Sequence, residues 1–128
     1  MKLQELNGIY TDLSRYIDVA GGMKRILNNK KVYGMLLKSF VGDTHYTALC
    51  EQLAGGDVST AEREAHTIKG VAANLSLPLV YEISEGINSR LKSGNVDVLE
   101  DLDRLGKAIE KTVEYMGIIL THIDDIEL

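Results

Sequence analysis

The sequence predicts an all-α protein, an antiparallel up-and-down four-helix bundle with an N-terminal capping helix or arm. Three observations predict it. The 128-residue chain has one proline, no tryptophan and 45% hydrophobic residues, drawn mainly from Leu, Ile, Val and Ala, which favours helix over sheet. Its loop signals are short: "NNKK" at 28–31, "GGD" at 55–57, "SLP" at 76–78 and "SGN" at 93–95. Between them apolar residues recur at helical spacing, and helices joined by short turns pack as antiparallel neighbours.

The elements follow in order. "MKLQELNGIYTDLSRY" has mixed polarity and reads as a short helix or an ordered arm. Asp18 can then cap a short helix through Leu27 by accepting a free backbone N–H. Val32, Leu36, Phe40, Tyr46, Leu49 and Leu53 mark a longer helical region that Gly42 and Asp43 bend. "GGD" ends it with residues that tolerate the left-handed region. The next helix starts near Asp57 or Ser59, where "STAE" has capping-box spacing between Ser59 and Glu62, and runs to about Leu75. Pro78 suits the first turn of a further helix, with Leu79, Ile83, Ile87 and Leu91 inward. The last and longest helix, about 98–123, carries Leu102, Ile109, Met116 and Ile123 every seven residues, with Leu99, Val113 and Leu120 as a second seam. Nothing in the sequence explains Gly106 or Gly117 within it. The chain fits one domain, with a bundle core at about 30–123 and the arm and short helix at 1–29.

Composition narrows the function. A net charge of −5 argues against a general nucleic-acid binder, which is usually basic. No apolar run approaches the roughly 20 residues that cross a bilayer, and "MKLQELNGIY" lacks the apolar core of a signal peptide. The expected location is cytoplasmic, with no membrane contact. Cys50 is the sole cysteine, so there is no disulfide framework or thiolate zinc site, and it reads as a small core residue.

"AHTIKGVAANL", residues 65–75, carries the chemistry. At about 100° per residue, Ala65, Ile68, Ala72 and Leu75 form the buried stripe. His66 points away from it, with Glu62, Lys69, Gly70, Ala73 and Arg63 all within about 60° of its direction. Glu64, at about 160°, fits neither face cleanly. An exposed imidazole, with a reference pKa of about 6.5, is a usable nucleophile near neutral pH. Lys69, one turn away, can set an ammonium beside developing negative charge. Gly70 costs a helix up to about 1 kcal/mol relative to Ala, a cost with a rationale if another molecule must approach the imidazole. The set suits phosphoryl transfer, where catalysis is mostly positioning and charge stabilisation.

The motif resembles the signature of histidine-containing phosphotransfer (HPt) domains, commonly H-x-[LI]-K-G with a small residue three positions on. "IDVAGGMKRILNNKKVYGMLLKSF" is similar to the family's N-terminal half, and "LAGGDVSTAEREAHTIKG" to the approach to its phosphorylated helix. The resemblance covers about residues 16–120. It implies that His66 is phosphorylated, that Lys69 stabilises the phosphoryl group, and that Gly70 gives a partner room. Glu62, Arg63, Ala73 and Asn74 would flank the docking surface. Ala73 and Ser76 stand where many relatives have glycine, as in "GNLG", which implies a slightly altered docking surface.

The implied partners are receiver domains of response regulators or hybrid sensor kinases. A receiver phospho-aspartate would donate to a ring nitrogen of His66, and another receiver aspartate would accept. The chain itself would be a monomeric phosphocarrier, without ATP-binding or kinase machinery and without cofactor or metal of its own. Mg²⁺ would reside in the receiver's acidic pocket. Two other classes compete: a plain interaction module, and the phosphoacceptor domain of a sensor kinase, whose "HELRTP"-like motif is here "HTIKG". His45 and His122 read as structural. "KRILNNKK" and Arg90 with Lys92 read as solvated basic faces, and "DDIEL" as a solvated end.

Overall fold

A computed structural model describes residues 1–127, which form eight α-helices and one 3₁₀ turn. They are α1 (Leu3–Ile9), α2 (Leu13–Tyr16), α3 (Val19–Arg25), α4 (Lys30–Val41), α5 (His45–Ala54), α6 (Val58–Leu75), α7 (Pro78–Lys92) and α8 (Leu99–His122). The 3₁₀ turn spans Ile123–Asp125. The architecture is an all-α helical bundle. α6 packs on α5 and α7, α7 on α8, and α8 on α4, so α4 and α5 share one of the four columns.

The Gly42–Asp43 bend is a full break. Gly42 caps the end of α4, and Asp43 Oδ1 accepts the His45 N–H at 2.7 Å, opening α5. The inner face of α4 is also rotated from the expected one. Tyr33, Leu37 and Phe40 are buried while Val32 and Leu36 are each 38% exposed. The apolar set Val32–Leu36–Phe40 misled because α4 carries apolar residues on both sides of its true seam.

α6 begins on Asp57, whose carboxylate accepts the Thr60 N–H (3.0 Å) and hydroxyl (2.8 Å). Ser59 lies inside the first turn, so the capping box expected of Ser59 and Glu62 does not form. The two Thr60 hydrogen bonds, backbone first, hold the Asp57 carboxyl below the usual carboxylate range. Asp57 won because its own carboxylate reaches Thr60, leaving Glu62 free to turn elsewhere.

α7 carries Pro78 in its first turn, and Ile83, Ile87 and Leu91 face the core. α8 buries a wider arc than a two-position seam. Leu102, Leu105, Ala108, Thr112, Tyr115, Met116 and Ile119 are buried, whereas Leu99 is 75% exposed and Ile109, Val113, Leu120 and Ile123 only partly covered. A helix flanked on both sides needs an arc of about 100° or more. Gly106 now has a reason: a Cβ there would overlap the Tyr46 hydroxyl, which donates to the Leu102 carbonyl at 2.8 Å. Nothing in the structure explains Gly117.

The N-terminal segment closes the end where α6 stops and α7 starts. Leu6, Leu13, Ile17, Val19 and Met23 join the one apolar core. Asp18 accepts the Gly21 N–H at 3.1 Å, capping α3 as expected. The Tyr115 hydroxyl donates to Asp12, and the Tyr10 and Tyr16 rings lie 5.8 and 5.7 Å from the Tyr115 ring. That carboxylate contact comes first among the causes pushing the Tyr115 phenol up to about 12.

α6 ends on Ser76, which adopts φ +55°. Left-handed backbone at a helix end favours glycine, yet a serine occupies this position. It is held there by the Asp18 N–H donating to its carbonyl at 2.9 Å and Arg25 Nε donating to Oγ at 3.3 Å.

The acidic end of the chain is not the solvated tail its sequence implied. Ile126 is buried, and Lys2 and Glu127 form a parallel bridge. Met1 N donates to the Asp125 carbonyl at 2.7 Å, and Lys30 Nζ donates to the Asp124 carbonyl at 3.5 Å and to that of Ile126. One apolar residue among four acidic or terminal ones gives no periodic signal, yet it seals the core. Nor are the basic patches free throughout: Lys30 is spent on this clamp, and Arg90 pairs with Asp101 at 2.6 Å.

Two substitutions test these points by urea unfolding. Ile126→Ala, which empties a buried position, should lower stability by about 2–4 kcal/mol, against almost no change if the tail is solvated. Ser76→Gly should raise it by roughly 0.5–1 kcal/mol through relief of the left-handed strain.

Candidate functional site

α6 positions the site by burying little bulk on its inner side. Ala61, Ala65, Ile68, Ala72 and Leu75 face the core, as expected for the last four. The opposite side, from Glu62 through Ala73, is left as a continuous face.

His66 is exposed there. Its imidazole enters none of the side-chain hydrogen bonds that the described residues around it form. Gly70, one turn on, is also exposed, and a Cβ built on it would meet nothing within 4 Å. No intramolecular contact requires a glycine at that position. Ala73 is half-buried and Asn74 exposed further along the helix. Arg63 is exposed, its Nη2 donating to Thr60 Oγ1 at 3.3 Å.

Lys69 and Glu62, one turn after and one before His66, are half-buried and tied to a residue of α7. Lys69 Nζ donates to Asn88 Oδ1 at 3.4 Å. Asn88 Nδ2 donates to Glu62 Oε1 at 2.8 Å and to the Glu62 carbonyl at 3.1 Å. Asn88 is only 3% exposed, so a buried amide links the two charged side chains that bracket the histidine. Sequence reasoning missed it by following the apolar repeat of α7. The available signal was Asn88 itself, a poor helix former in mid-helix, four residues after the similarly buried Ser84.

Glu64 also finds its place. Its Oε2 lies 2.6 Å from His45 Nδ1, joining α5 to α6 on the side away from His66. His45 is therefore structural, as expected. His122 lies in the last turn of α8. Past Ala73 the face opens into a cleft of about 330 Å³ whose lining includes Arg25, Ser76, Pro78 and Tyr81. Cys50 is half-buried instead of sealed in the core, and lines a separate apolar groove with Leu53, Val58 and Leu102.

Chemically, the face offers an accessible nitrogen nucleophile, a cation one turn away and open space for a second molecule. Among the described residues no group of three His, Cys, Asp or Glu side chains is placed to hold a metal ion. No helix among the described residues is long and apolar enough to cross a membrane.

The family model described as "Hpt domain" matches residues 41–115, more than half of the chain. The chain belongs to the Hpt domain family. Comparisons with curated proteins and with solved structures found no match. The matched Hpt span runs from the end of α4 to Tyr115 in α8 and contains His66, Lys69 and Asn88. Membership makes the chain a histidine phosphotransfer component of a phosphorelay, a family of phosphocarriers that exchange phosphoryl groups with receiver domains.

Gly70 and Gly117 are helical glycines that no intramolecular contact requires, and comparing them tests whether Gly70 serves a partner. Gly70→Ala and Gly117→Ala should each stabilise by about 0.5–1 kcal/mol, because neither added methyl meets a neighbour. Only Gly70→Ala should slow phosphoryl exchange with a receiver domain, as read by initial rates of label transfer.

Proposed function

We propose that His66 is the phosphoacceptor and that the chain relays phosphoryl groups between receiver aspartates. The observation that carries this is the free, exposed imidazole of His66 with Lys69 and a methyl-free Gly70 one turn away. A ring nitrogen attacks the phosphorus of the receiver's acyl phosphate. The N–P bond forms as the aspartyl O–P bond breaks, and the reverse step passes the group on. Lys69 faces the phosphoryl oxygens and offsets the charge that collects on them.

Receiver domains dock over Gly70 and Ala73, with Glu62, Arg63 and Asn74 at the margins and the cleft beside Arg25 and Tyr81 as an extension. Gly70 admits the receiver's loops close to the backbone. Ala73 adds one methyl group, half-buried, and narrows that approach only slightly. Mg²⁺ belongs to the receiver's acidic pocket, and the chain supplies no cofactor, metal or ATP-binding machinery. It acts as a cytoplasmic monomer.

Incubation with phosphorylated receiver domains tests the reading directly. The wild type should gain acid-labile, base-stable phosphate and His66→Gln should gain none. Lys69→Ala should label at least tenfold more slowly, the scale of losing one charge-stabilising group. Label on His66→Gln would sink the site assignment. Wild type left unlabelled by every receiver tested would favour a plain interaction module.

A further inference from the structure

We infer that Asn88 is a positioning residue that keeps the Lys69 ammonium available by holding the Glu62 carboxylate apart from it. The inference rests on the proposed roles of His66 and Lys69. Glu62 and Lys69 lie seven residues apart on one face of α6, two helical turns with His66 between them. Side chains on a helix lean toward its N-terminus, so Lys69 reaches back over the histidine toward Glu62. Both heads touch the same Asn88 amide, which caps their separation at roughly 9 Å. Two long, flexible side chains of opposite charge at that distance would otherwise meet. A direct Glu62–Lys69 pair would lie across the imidazole and compete with any incoming phosphoryl group for the ammonium.

The Asn88 carboxamide prevents this because its two ends are chemically different. Its oxygen can only accept, which suits the ammonium, and its NH₂ can only donate, which suits the carboxylate. The bonds are also unequal. Glu62 is held at 2.8 Å, and the same NH₂ is fixed to the Glu62 carbonyl at 3.1 Å. Lys69 is held at 3.4 Å, near the outer limit for a hydrogen bond. When a phosphoryl group arrives, the long bond is the one that yields. Lys69 turns to the phosphate, and Glu62, the wrong charge for that position, stays fastened to α7. Burial of Asn88 favours the arrangement, since an amide taken out of bulk water loses free energy if it gives up these partners.

Phosphoramidate, a small donor that needs no docking surface, isolates this effect. Its P–N bond breaks as the His66 N–P bond forms, and the imidazole proton leaves with ammonia. Labelling of the full chain is followed by the shift of intact mass, and folding of each variant by thermal melting. Asn88→Ala should label about fivefold or more slowly than wild type, within the range of coupled charged neighbours. Adding Glu62→Gln to Asn88→Ala removes the competing carboxylate and should restore the rate to within about twofold.

A merely structural Asn88 predicts no such rescue. Wild-type labelling by Asn88→Ala, or a loss that Glu62→Gln does not repair, would overturn the inference while leaving His66 as the acceptor. If Asn88→Ala does not fold, Asn88→Ser, whose hydroxyl is too short to bridge both heads, is read by the same criteria. Wild type that phosphoramidate leaves unmodified would overturn the His66 reading and this inference with it.

Discussion

Close packing of α6 against its neighbours is the constraint on which the rest of this molecule depends. Ala61, Ala65 and Ala72 are completely buried on its inner face, and side chains that small let helix axes approach toward the short end of the usual 8–10 Å range. That approach lets α5 reach Glu64 through His45 on one side and α7 reach Glu62 and Lys69 through Asn88 on the other. A helix with leucines at those three positions would stand off from α7, and Asn88 could not reach across. The polar face of α6 is therefore organised by the apolar face behind it.

The ends of α6 are fixed as firmly as its flanks. Asp57 holds the first turn through Thr60. The left-handed Ser76 closes the last, tied to α3 through Arg25 and to the residue before α3 through Asp18. α3 in turn sits on α4, whose first residue, Lys30, clamps the end of the chain. The N-terminal segment is thus a brace on the C-terminal end of α6. A side chain on such a helix is presented by a scaffold that need not rearrange, which would suit the proposed step, one catalysed by positioning.

Much of this was legible in the sequence, and the exceptions have physical causes. α6 and α7 announced themselves through apolar stripes and through Pro78, and the face around His66 followed from the 100° rotation alone. Of the three short helices in the first 25 residues only α3 did, through its Asp18 cap, while α1 and α2 read together as one short helix or arm. Each is seven residues or fewer, below the length at which a 3.6-residue period can be recognised. In α4 and α8 the helices were evident but their faces were misplaced, since apolar residues exceed those buried and tertiary packing chooses among them. Ile126 gave no signal because a single buried residue has no period. Asn88 went unnoticed because polar partners across a helix pair have no fixed spacing in sequence. Glu64 read as an anomaly for the same reason.

The most direct test of the central claim, that the Glu62–Ala73 face of α6 is a preformed phosphoryl site, is a ¹⁵N chemical-shift map recorded before and after phosphorylation. The account predicts that the largest changes fall on the backbone amides of His66, Lys69 and Gly70 and on the side-chain amide of Asn88, with the core unchanged. Largest shifts around His45 or His122, or changes spread through the buried residues of α7 and α8, would contradict it.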